Sequence, residues 1–177
     1  SIIRNFDLGR VVVPKEIRRT LRIREGDPME IFTNRDGEVI LKKYSPIGEI
    51  DAFAKQYAES LAAVSGCYVV ISDRDQVIAV SGGVKKEYIG RRISHELEEI
   101  MEQRRTVNTD TDNVKTITII DGQDVSDMGQ IIFPIICEGD VIGSVVLMSK
   151  TEKQQVSDTE KKLVSVSADF LGRQMES

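Results

Sequence analysis

The sequence predicts an α+β chain in two domains: a small strand, helix and hairpin domain over residues 1–46, and a larger domain over residues 47–177 built on an antiparallel sheet flanked by helices. Three observations lead there. Charge is divided unevenly: residues 1–46 hold ten Lys/Arg against seven Asp/Glu, a net of +3, whereas residues 47–177 hold the other 14 of 24 against the other 22 of 29, a net of −8. Apolar spacing switches repeatedly between helical and alternating periods, with Gly, Asp and Pro turn signals between the runs. The first domain has no staple, because Cys67, Cys137 and the single histidine, His95, all lie outside it.

In the first domain, Val11-Val12-Val13 follows the turn signal Leu8-Gly9 and reads as a β-branched strand. Pro14 ends that strand, since it lacks a ladder N–H, and suits the first turn of a helix. The helix is expected over Lys15–Arg22, with Ile17 and Leu21 on one face and Lys15, Arg18, Arg19 and Arg22 on the other. Glu25–Pro28 is a turn and Met29–Phe32 a strand. Asn34-Arg35-Asp36-Gly37 is a hairpin turn in which Gly37 supplies positive φ, and Glu38–Tyr44 is the returning strand. A unit this small cannot bury enough surface alone without a metal or a disulfide, so dimerisation is expected of it. A dimer would also double the cationic surface.

Ser45-Pro46 marks the linker and the cap of a second helix, on which Ile50, Phe53, Tyr57, Leu61 and Val64 recur at helical steps until Ser65-Gly66. Strands follow over Cys67–Ser72 and Gln76–Ser81, joined by the turn Asp73-Arg74-Asp75, and Gly82-Gly83 leads out. A helix from Ser94 to Arg105 carries Ile93, Leu97, Ile100 and Met101 on one side, with Arg104 and Arg105 at its C-terminal end, where the dipole favours cations. Thr106–Asn113 reads as a polar loop and Lys115–Ile120 as a strand. Gln130–Cys137 and Val141–Ser149 form a hairpin about Glu138-Gly139-Asp140. The last helix opens on a capping box, Ser157 to Glu160, and carries Leu163, Val166, Phe170 and Leu171 toward a core or a partner helix.

No run of about 20 apolar residues is present to cross a bilayer, and no secretory leader is recognisable. Two well-separated cysteines and one histidine cannot build a zinc site. Asp73 and Asp75 flank a turn, where Asp is favoured for geometry rather than for acid–base work. Cys67 and Cys137 lie in apolar runs and lack a base; His95 beside the cap Ser94 reads as a surface or capping residue. No phosphate-cradling glycine motif occurs. The sequence therefore gives no enzyme signature.

The positive signal is the ordered run Asp7-Leu8-Gly9-Arg10-Val11-Val12-Val13-Pro14-Lys15-Glu16-Ile17-Arg18-Arg19-Thr20-Leu21, continued by Gly26-Asp27 and by Ile40-Leu41-Lys42-Lys43-Tyr44. Over residues 2–46 it resembles the AbrB-type DNA-binding domain of bacterial transition-state regulators. The resemblance implies a swapped-hairpin dimer, in which two chains interleave their strands into one β-barrel, and DNA contacts from Arg4, Arg10, Arg18 and Arg19. Lys15 joins that set because it shares the helical face. The spacing departs from the family pattern at one point: Asn5-Phe6-Asp7 is one residue shorter than usual, which touches the register of Arg4 alone. The run Pro134-Ile135-Ile136-Cys137-Glu138-Gly139-Asp140-Val141-Ile142-Gly143 resembles the strand, turn and glycine-bearing return strand of GAF domains. The whole layout resembles a family of two-part sporulation regulators of spore-forming Firmicutes.

The resulting expectation is a cytoplasmic transcriptional regulator, in the forespore, without enzymatic activity, cofactor, metal or membrane association. Its partners are double-stranded DNA, a second copy through residues 1–46, and further copies through the helices of the C-terminal domain, giving a homotetramer. Two alternatives stay open: an antitoxin-type protein-interaction module, and a sensor that takes an unidentified small molecule in the GAF-like domain. Neither the operator nor the choice between activation and repression is encoded legibly.

Overall fold

The computed structural model describes residues 9–44, 51–125, 127–152 and 154–176, and the chain divides into units of Ser1–Tyr44 and Ser45–Ser177. In the first, helix α1 (Lys15–Thr20) follows Pro14, which acts as N-cap rather than as the first helical residue; its carbonyl receives the Arg18 N–H at 3.0 Å. The helix stops two residues before the expected Arg22. Arg22 adopts φ 51°, its N–H reaches the Arg19 carbonyl at 3.3 Å, and the Ile23 N–H reaches the Arg18 carbonyl at 2.8 Å. This crossed pair closes a helix end through a left-handed residue, here without the usual glycine.

Strands β1 (Met29–Thr33) and β2 (Val39–Lys43) pair antiparallel from Met29↔Lys43 to Thr33↔Val39. Asn34 shapes the turn between them: its side-chain oxygen accepts the N–H groups of Asp36 and Glu38 at 3.1 and 3.0 Å, and Gly37 takes φ 77°. The expected strand at Val11–Val13 is not formed. A strand needs a neighbour to satisfy its ladder, β1 and β2 pair only with each other among the described residues, and Val12 is left 68% exposed.

The second unit is a five-stranded antiparallel sheet with helices on both faces. Its strands are β3 (Tyr68–Asp73), β4 (Val77–Ser81), β5 (Val107–Asn108), β6 (Gln130–Cys137) and β7 (Asp140–Met148), in the order β4-β3-β7-β6-β5. The side chains of successive strand residues alternate between two apolar cores. Val69, Ile71, Ile131, Ile135, Val145 and Leu147 pack under α2 (Asp51–Ser65) and α5 (Asp158–Gln174). Val70, Ile132, Val146 and Met148 pack under α3 (His95–Glu102) with Leu97, Ile100, Ile119 and Ile120. At one end of the sheet the facing residues Ser72 and Ser144 are both fully buried and satisfy each other, hydroxyl to hydroxyl, at 2.6 Å.

Of the helically spaced stripe on α2, Leu61 is buried together with Ala54, Ala58 and Ala62, Tyr57 packs half-buried on the same core, Phe53 and Val64 are exposed, and Ile50 lies outside the described residues. Small side chains let α2 approach the sheet closely, which turns Phe53 and Val64 outward. Three expectations are corrected here. Thr106–Asn113 is not a loop: β5 pairs with β6, and a helical turn, α4 (Thr109–Asp112), starts where the Asn108 side chain accepts the Asp110 N–H at 3.1 Å. Lys115–Ile120 forms no strand, because other groups take its main-chain partners. Gln130, fully buried, receives the Ile117 N–H at 2.9 Å and donates to the Ile117 carbonyl at 3.0 Å, while Ser94 donates from its main chain to Ile119 and from its hydroxyl to Thr118. Arg104 and Arg105 lie beyond α3, with Arg104 at φ 53° in the same crossed helix ending that closes α1. Elsewhere the expected caps form: Ser94 accepts the Leu97 N–H at 3.1 Å, and Ser157 with Glu160 closes a reciprocal capping box on α5.

Candidate nucleic-acid interface

Four of the five cations that the sequence assigns to DNA sit on and just before α1. Arg10 precedes the helix, outside any helix or strand; Lys15, Arg18 and Arg19 fall at steps of three and four, which places them on one side of a single helical turn. All four are exposed, and none of their side chains makes a hydrogen bond or ion pair with another described residue. Arg4 lies outside the described residues. A guanidinium carries five N–H donors in a rigid fork, matched to a phosphate or to a guanine edge, so an uncommitted set on one short helix is a ready polyanion surface.

Two further residues position this surface, and the sequence did not single them out. Lys43, on β2, donates to the Arg22 carbonyl at 3.1 Å and stands 3.9 Å from Asp27. Asp27 in turn accepts the Arg24 N–H at 2.8 Å. The pair ties the end of α1 to the hairpin, so Lys43 belongs to the scaffold although it counts among the cations. Both belong to the AbrB-like run, but nothing in that run links one to the other.

The apolar half of the unit is as informative as its charge. No described residue of 9–44 is buried, and Ile17, Leu21, Phe32 and Leu41 are exposed together with Ile31 and Val39, each 62% exposed. Single exposed apolar residues are ordinary; a unit with no buried residue at all is incomplete.

In the second unit the candidate chemical groups have structural work. Asp73 is buried and its side chain accepts the N–H groups of Asp75 and Gln76, both at 2.7 Å, which is turn geometry. Burial pushes the thiols of Cys67 and Cys137 above their ordinary pKa, and neither is oxidised. His95 lies on the surface within 3.7 Å of Glu98 and 3.3 Å of Glu99. Among the described residues no group of side chains has metal-ligand geometry, and no helix is long and apolar enough to cross a membrane. An open cleft of about 780 Å³ lies at the β5 edge between α4 and residues 154–155, lined by Asp110, Lys115, Thr116 and Gln154.

Against known proteins, the chain is 53% identical over 177 residues to stage V sporulation protein T of Bacillus subtilis (strain 168), covering 99% of this chain and 97% of that one. The chain belongs to the stage V sporulation protein T family. The family described as "Stage V sporulation protein T C-terminal, transcription factor" matches residues 49–176. Its N-terminal part is 56% identical over 47 residues to the transition state regulatory protein AbrB of the same organism, covering 26% of this chain and 48% of that protein. A second family, described as "Antidote-toxin recognition MazE, bacterial antitoxin", matches residues 7–49. The fold of the C-terminal part is that of a GAF domain: the second GAF domain of DevS from Mycobacterium smegmatis superposes with a TM-score of 0.56 at 12% identity, over 70% of this chain and 91% of that one. This member of the stage V sporulation protein T family thus joins an AbrB-like N-terminal domain to a GAF-like C-terminal one.

Proposed function

We propose that the chain is a DNA-binding transcription factor for sporulation genes, working inside the bacterial cell, whose contacts to double-stranded DNA come from Arg10, Lys15, Arg18 and Arg19. Arg4 joins them on the family resemblance alone. The observation that carries the proposal is the coincidence, in one unit, of four exposed cations with uncommitted side chains and an apolar surface that no other described residue covers. A second copy accounts for both. If Val11–Val13 and the hairpins of two chains interleave, the exposed valines, Ile31, Phe32 and Leu41 gain a core, the unpaired Val11–Val13 segment gains a ladder, and the cationic surface doubles. Among the described residues no α-helix stands before α1 in a helix-turn-helix arrangement, so phosphate contacts and DNA shape contribute heavily and sequence selectivity is modest.

In the second unit, α2 and α5 present Phe53, Val64 and Val166 outward, with Val64 73% and Val166 62% exposed, beside a stacked pair of Tyr57 and Phe170 at 4.6 Å. We assign this face to contact between dimers, giving a homotetramer.

The test is a titration of the intact protein against a promoter fragment at several salt concentrations. Binding should weaken steeply with salt, with a log–log slope of about −0.9 for each phosphate neutralised. Replacing Arg10, Arg18 and Arg19 together by Ala should abolish most of it without changing the sedimenting mass. Unchanged affinity in that variant would refute the site. A second reading, favoured by the antitoxin-type match over residues 7–49, makes the first unit a scaffold for binding a protein. Absent or salt-independent DNA binding by the wild-type chain would select it.

A further inference from the structure

The C-terminal domain is acidic, yet residues 84–92, Val-Lys-Lys-Glu-Tyr-Ile-Gly-Arg-Arg, hold four cations and the single acid Glu87. All four cations, Lys85, Lys86, Arg91 and Arg92, are exposed. Their loop is fixed, not trailing. It leaves β4, makes one 3-10 turn at Lys86–Tyr88 and returns along the outer side of β4, an edge strand of the sheet. There the Val77 N–H donates to the Arg91 carbonyl at 3.0 Å and the Gly90 N–H donates to the Val77 carbonyl at 2.8 Å. Tyr88 anchors the loop against the core beneath α3. The Arg91 guanidinium lies 5.3 Å over the Tyr88 ring and gives one N–H to the Asp121 carbonyl at 3.3 Å, which leaves its other donors uncommitted among the described residues. The Lys86 ammonium has no partner there, and that of Lys85 meets Glu87 only at 3.9 Å with both side chains well exposed, a pair that solvent and salt screen strongly.

Lysines on an edge strand often serve only to prevent sheet-to-sheet pairing. Here main chain already meets the edge at Val77, and that role requires no guanidinium held in place by an aromatic ring. A pre-oriented cation loses less entropy on binding an anion than a free one. The domain as a whole also faces an electrostatic problem: at a net −8 over residues 47–177 it is repelled by any duplex held by the domain to which it is covalently joined. A cationic loop gives it one face that tolerates that neighbour. The covalent link makes even weak contacts count, because a duplex bound by residues 1–46 is present at high effective concentration.

We propose that the loop at residues 84–92 is a second DNA-contacting surface, which grips phosphates through Lys85, Lys86 and Arg91 and reads no bases. The proposal rests on the DNA-binding reading above, and the test separates the two. Full-length wild type and a Lys85→Gln/Lys86→Gln/Arg91→Gln variant are titrated against one promoter fragment across salt, with a Lys85→Gln/Lys86→Gln variant to spare the Tyr88 contact. Circular dichroism and sedimentation confirm that fold and assembly are kept. The expected result is weaker binding with a salt slope shallower by about 0.9 for each contact removed, hence by two to three in the triple variant, and equal losses on all sequences. Affinity and slope identical to wild type would overturn the proposal. So would a variant that binds DNA normally but loses transcriptional activity, which would point to an acidic protein partner instead. Failure of the wild type itself to bind would fault the DNA-binding reading, not the loop assignment alone.

Discussion

Replacing Gly172 by alanine tests how the GAF-like domain is packed. Gly172 is a buried residue of α5, and a Cβ placed on it would stand 2.1 Å from the Ile136 carbonyl oxygen and 3.1 Å from its carbon. Carbon and oxygen do not approach so closely, so helix and strand must part by about 1 Å. The obstacle is main chain on β6, held there by pairing with β7 at Val141, and it cannot rotate away as a side chain would. Over-packing of this kind costs about 1–3 kcal/mol, and a backbone obstacle belongs at the upper end. Alanine recovers about 1 kcal/mol of helix propensity over glycine. The net loss is therefore about 2 kcal/mol, or a fall of roughly 5–8 °C in the midpoint of the domain's transition. Thermal denaturation of the intact protein, followed by circular dichroism, measures it. A midpoint equal to or above that of the wild type would refute the reasoning, since the propensity gain would then be acting alone.

Two other outcomes follow from single features. Val64→Lys combined with Val166→Lys should leave the far-ultraviolet circular dichroism spectrum unchanged, because both residues are exposed within one chain, yet reduce the sedimenting mass from tetramer to dimer; a persistent tetramer would remove α2 and α5 from the assembly. Ser157→Ala should cost about 1 kcal/mol by opening the capping box of α5. The Ser157 hydroxyl, which donates to Glu160, holds that carboxylate below its ordinary range. The stabilisation is thus complete above the unfolded carboxylate pKa, about 4.3, and is lost as pH falls through the lowered native value. The stability gap between variant and wild type should narrow on acidification; a gap that widens would contradict the sign.

What was legible in the sequence was whatever local chemistry decides. The capping box at Ser157, the turn at Asn34–Gly37, the Asp73 turn and the alternating strands on either side of Gly139 each carry their own instruction within a few residues, and each is found in place. The cationic side of α1 was legible for the same reason: spacing along one short helix is a local property. What failed was decided at a distance. Lys115–Ile120 has the β-branched composition of a strand but no ladder, because Gln130, far along the chain, occupies the main-chain groups of Ile117. Phe53 and Val64 share the helical spacing of buried Leu61 yet are exposed, and alanines face the core because α2 sits close to the sheet. Gly172 gave no signal at all, since only the approach of β6 makes a missing Cβ necessary.

Val11–Val13 is the instructive case. Its composition asks for a strand, and among the described residues it has no partner. Local preference and single-chain structure disagree there, at the same place where eight large apolar side chains between Val11 and Leu41 remain exposed. A natural sequence whose local preferences are consistent with its native state should not carry such a conflict. The conflict disappears if the native state of this unit contains two chains. The sequence then encoded its strand correctly, for a sheet that one copy cannot complete, and the same pairing sets two copies of Arg10, Lys15, Arg18 and Arg19 on one body for a duplex to meet.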